Sequence, residues 1–62
     1  MQREITLIIM SDAELSEYIG DLRSRLREAH EQHQETLVGL CAMALATALG
    51  EQSLREQEAL LP

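Results

Sequence analysis

The stretch TLVGLCAMALATALG, from Thr36 to Gly50, constrains this chain more than any other feature. No charge falls between Leu37 and Leu49, helix formers (Leu, Ala, Met) dominate, and proline is absent, so helix is the physical default. A helix that is apolar all round must be covered on several sides, whereas an ordinary surface helix buries one stripe. At about 1.5 Å per residue the uncharged run is roughly 20 Å long, short of the ~30 Å of hydrocarbon that a spanning helix must cross. Charged segments flank it, so no membrane role is expected. Gly39, Ala42, Ala46 and Gly50 form a smooth ridge on which another helix can sit closely. Leu37, Leu40, Leu45 and Leu49 carry bulk on other faces.

Sixty-two residues make a single domain, 1–62, and a chain this short buries only about 60% of its unfolded surface. Proteins of this size lean on disulfides, metals or oligomers. Cys41 is the only cysteine, so no intrachain disulfide can form, and inside the apolar run it is expected to act as a small buried hydrophobe. Homo-oligomerisation, as a dimer, is the expected source of the missing core. The expected interface is Ile5, Leu7, Ile9, Leu37, Leu40, Ala42, Leu45, Ala46 and Leu49.

The formal net charge is −6, there is no lysine, and Tyr18 is the only aromatic residue. That balance opposes attraction to nucleic acid or anionic membranes and favours a basic partner, and platforms for stacking bases are missing. The short apolar run Ile5–Met10 lies between Glu4 and Asp12, and its length and flanks fit neither a signal peptide nor an anchor. A cytoplasmic location is expected.

In chain order, residues 1–10 read as a short strand. Ile5, Leu7 and Ile9 alternate with Glu4, Thr6 and Ile8, and β-branched residues are frequent. A lone strand leaves its backbone unpaired, so its partner would be another copy or another protein. Ser11-Asp12-Ala13-Glu14 is a capping box, with Met10 and Leu15 placed as a hydrophobic staple. The first helix is expected over 12–30, with a seam at Leu15, Ile19, Leu22, Leu26 and Ala29 spaced four, three, four and three. Residues 30–35, HEQHQE, hold no glycine or proline. They either continue one long helix or hide a tight hairpin turn. The central apolar helix is expected over 34–49, with Gly50 as its stop. Ser53-Leu54-Arg55-Glu56 then repeats the capping-box pattern and starts a short terminal helix over 53–61. The fold class is therefore mainly α: a short N-terminal strand, two helices as a hairpin or as one long helix, and a short C-terminal helix, completed by homo-oligomerisation.

Candidate chemistry is sparse. His30 and His33 could share a helix face, but zinc needs three or four ligands, and no CxxC or HExxH pattern supports one. No metal or cofactor is expected. Arg23, Arg25 and Arg27 form a local basic cluster, with Arg25 on nearly the opposite face from the other two. No phosphate loop or nucleophile-and-base pairing appears, so enzyme activity is not expected.

A strand leading into a capped helix and then a second helix, over Glu4–Leu49, resembles the ribbon-helix-helix family. The resemblance implies a dimer whose paired strands enter the major groove, and hence a DNA-binding transcriptional regulator as the alternative function. The outward strand positions here are Glu4, Thr6 and Ile8, not the Arg, Lys, Asn or Gln that read bases. The turn between the helices has no glycine, and the net charge opposes phosphate. The preferred expectation is a small acidic oligomer that binds and modulates, by inhibition, a larger protein. Glu14, Glu17, Asp21, Glu28, Glu31 and Glu35 are the expected contacts to a basic partner surface. Tiny acidic chains of this kind are common among phage and mobile-element inhibitors.

Overall fold

The computed structural model describes residues 3–61; the ends of the expected strand and terminal region at Met1, Gln2 and Pro62 lie outside the described residues. Three helices follow one another: α1 (Ile5–Ile8), α2 (Asp12–Glu31) and α3 (Glu35–Leu60). The last two form an antiparallel hairpin, and α1 packs across its open end against α3.

The expected strand over 1–10 is corrected by a single helical turn, with no strand among the described residues. A lone strand would leave its amides and carbonyls unpaired, whereas the turn satisfies them locally. The Leu7 and Ile8 amides donate to the Glu4 carbonyl at 3.0 and 3.1 Å, and Ile9 donates to Ile5 at 3.2 Å. The turn also changes which side chains share a face. Leu7 goes into the core, while Ile5 and Ile9 stand in solvent at 74% and 76% exposure.

Helix α2 starts where its capping box places it. The Glu14 amide donates to the Ser11 hydroxyl oxygen at 3.1 Å, and the Ser11 amide donates to the Glu14 carboxylate at 2.9 Å. Its seam is the one the spacing predicts: Leu15, Ile19, Leu22 and Ala29 are buried and Leu26 is half-buried. Met10, the other half of the staple, packs on the same core.

The hairpin turn is a Schellman motif built without glycine. Gln34 N–H donates to the Ala29 carbonyl at 2.9 Å and His33 N–H to the His30 carbonyl at 3.1 Å. His33 holds the left-handed position, with φ 57°.

Helix α3 does not stop at Gly50, and the separate helix expected over 53–61 is corrected to the last turns of one 26-residue helix. A mid-helix glycine costs about 1 kcal/mol. Stopping would instead leave orphan backbone groups at two new ends and require a second nucleation. Continuation also carries one seam from Cys41 through Ala48 and Glu51, all buried, to half-buried Arg55. Cys41 is a free, buried thiol.

Candidate interaction surfaces

The open end of the hairpin is held by a cluster of charged groups that the sequence reading did not single out. Glu51 is only 4% exposed and accepts from two arginines. Arg3 Nε donates to it at 2.8 Å, a second Arg3 nitrogen pairs with its other oxygen, and Arg55 Nε donates at 2.9 Å. These bonds, the one from Arg3 first, hold the Glu51 carboxyl down at about 2. Arg55 has further work. Its Nη2 donates to the Leu7 carbonyl at 2.8 Å and the Met10 carbonyl at 2.7 Å, and its Nη1 donates to Asp12 at 2.8 Å. A cation on the final carbonyls of α1 satisfies groups that so short a helix leaves open. With its donors committed in this way, the cluster is a structural clamp.

At about 100° per residue, the hairpin presents two broad faces. The first carries α1 at the open end and a shallow groove near the turn, lined in part by Leu22, Ala29, Leu37, Leu40 and Cys41. Leu37 and Leu40 are 43% and 60% exposed here, and Met43, further round α3, is 70% exposed. Beside them, Glu14, Glu17, Asp21 and Glu28 are all exposed and follow one another along one strip of α2. Glu31 is exposed on the outer side of α2, and Glu35 on the first turn of α3. Glu14 is partly committed, because its bonds from the Ser11 backbone and side chain lower its pKa.

The second face has Leu26, Val38 and Ala42 in a hollow rimmed by Arg23, Arg27 and His30 near the turn. Near the open end it carries Asp12, Ser16, Gln52 and Glu56. The residues expected to form one interface are therefore dispersed. Leu37 and Leu40 face one way, and Ala42, Leu45 and Leu49 face the other. Ala46 lies exposed on the outer side of α3. Leu7, Leu45 and Leu49 already serve the chain's own core. His30, His33 and Glu35 border one hollow with Val38, yet no group of three side chains able to hold a metal occurs among the described residues.

Fold and surfaces together define an acidic helical hairpin with a clamped open end and two dissimilar faces. Comparison with protein-family models, curated proteins and solved structures finds no significant match to the chain.

Proposed function

We propose that this chain is a small, non-enzymatic protein–protein interaction factor that self-assembles and binds a larger, basic protein in the cytoplasm, modulating it by obstruction. The observation that carries this reading is the state of α3. It carries the uncharged run Leu37–Leu49, yet of its 26 residues only Cys41, Ala48 and Glu51 are buried within the chain. Surface of that kind, with Leu40 and Met43 uncovered beside an acidic strip, supports docking on a partner that supplies apolar anchors and positive charge. By length and composition α3 would also serve as a membrane span. The buried Glu51 and the Arg55 clamp favour a folded hairpin in water, since charges placed in hydrocarbon are costly. The helical turn at Ile5–Ile8 favours this reading over the ribbon-helix-helix alternative, which needs a strand there.

The experiment pairs the wild-type chain with Leu40→Glu/Met43→Glu in affinity capture from its source cells, alongside flotation with neutral lipid vesicles. A protein held by the wild type and lost by the variant supports the reading. Flotation of the chain with vesicles, or equal capture by both forms, overturns it.

A further inference from the structure

The second face of the hairpin is polarised along its length. Arg23 and Arg27 lie toward the turn, and Asp12 and Glu56 lie toward the open end, where Arg55 lines the same hollow but is balanced by the buried Glu51. Arg23, Arg27 and Glu56 make no ion pair with any other described residue. Asp12 is bonded to Arg55 through one oxygen only, and its side chain is 91% exposed. Glu31 and Glu35, both exposed, are carboxylates at the tip, the last residue of α2 and the first of α3. Between the two charged ends lie exposed Ser16, Gly20 and Ala42 and half-buried Leu45 and Leu49. A Cβ built at Gly20 meets nothing within 4 Å, so the chain alone gives no packing reason for a glycine there.

We infer that a second copy of this chain covers this face, related by a two-fold axis perpendicular to the helices, so that α2 and α3 each lie antiparallel to their counterparts. The inference rests on the self-assembly proposed above and specifies its geometry. The axis sets the basic end of each hairpin on the acidic end of the other, twice per dimer. A two-fold axis parallel to the helices would instead oppose Arg23 and Arg27 with themselves. The small residues near the midpoint let the two layers approach closely, giving a four-helix bundle. The area agrees. The chain exposes 5004 Å², whereas a compact monomer of 7.0 kDa exposes about 4000 Å². The surplus of about 1000 Å² is the size of one side of a standard interface, about 800 Å² per partner. The acidic strip and exposed leucines of the first face stay free for another protein.

Sedimentation equilibrium of three forms tests this: wild type, Arg23→Glu/Arg27→Glu, and Asp12→Asn/Glu56→Arg. The wild type dimerises. Each variant alone dimerises more weakly, by on the order of tenfold to a hundredfold, because both ends of its dimer become repulsive. An equimolar mixture of the two variants regains wild-type affinity, since every mixed pair has two attractive ends. Variants that dimerise as well as the wild type, or a mixture that gains nothing, overturn this geometry and leave self-assembly standing. A wild type that is monomeric at every concentration overturns self-assembly itself. An independent measurement uses spin labels on Glu31→Cys in a Cys41→Ser background. The antiparallel arrangement separates the two labels by roughly 40 Å, and a short separation overturns it.

Discussion

The Arg55 guanidinium lies 2.7 Å from the main-chain oxygen of Met10, and this bond makes the start of the chain depend on a side chain 45 positions later. The same nitrogen reaches the Leu7 carbonyl, so one residue closes α1 and fixes it over the core. Arg55→Lys is expected to fail as a replacement. An ammonium has no planar fork with which to serve Glu51, Asp12 and two carbonyls at once. Amide hydrogen exchange should show faster exchange at residues 7–10 in both Arg55→Lys and Arg55→Ala, with protection across the α2 seam retained. Unchanged exchange at residues 7–10 would show that α1 holds without the clamp.

Glu51 sets an acid limit on stability. Its folded pKa is about 2, below the ordinary 4.5. The unfolded chain therefore binds its proton first as pH falls, and the carboxylate's contribution is full above 4.5 and lost progressively down to about 2. Glu14, also lowered, acts in the same direction. Glu51→Gln should flatten the slope of stability against pH between 4.5 and 2, read by denaturant unfolding at each pH. A variant with the wild-type slope would remove Glu51 from this role.

His33 occupies a backbone position that glycine fills more easily. His33→Gly should raise stability by about 0.5–1 kcal/mol, roughly 2–8 °C in Tm for a chain of this size. His33→Val should lower it. A fall in Tm for the glycine variant would mean that the imidazole supports the turn in some other way.

Buried and exposed leucines should respond very differently. Leu15, 1% exposed, is expected to cost about 2–5 kcal/mol when cut to alanine. Leu40→Glu, at 60% exposure, should change monomer stability by no more than about 0.5 kcal/mol while making the surface more polar. Thermal unfolding at low protein concentration checks both.

The parts of this fold that the sequence revealed are those governed by short-range rules. The Ser11–Glu14 box and the Leu15–Ala29 seam need only local spacing, and both appear as read. The sequence leaves the turn open because its usual glycine is replaced by His33, whose left-handed backbone has no compositional signal. Gly50 looked like a stop, but a glycine ends a helix only by turning left-handed, and no described glycine has positive φ. Ile5–Ile9 carried a β-branched pattern that suits a strand only when a neighbouring strand exists. The Glu51–Arg55 pair was visible as an acid-first i,i+4 spacing. Its attachment to Arg3, Leu7 and Met10 spans most of the chain and emerges only on folding. Of the expected interface residues, the hairpin sets Leu37 and Leu40 on one face and Ala42, Leu45 and Leu49 on the other.

Arg3 Nη1 also lies 3.0 Å from the Glu58 carboxylate, so the two extremities of the described polypeptide meet at one pole. Any tether fused at either extremity departs from that pole and leaves the bend at His33 unobstructed for display on a surface. The same proximity allows a circular permutant, with residues 3 and 61 bridged by a short flexible linker and new termini opened between Gln32 and Gln34. In that rearranged chain α3 would run straight into α1, and the Arg55 clamp would stabilise a newly made corner.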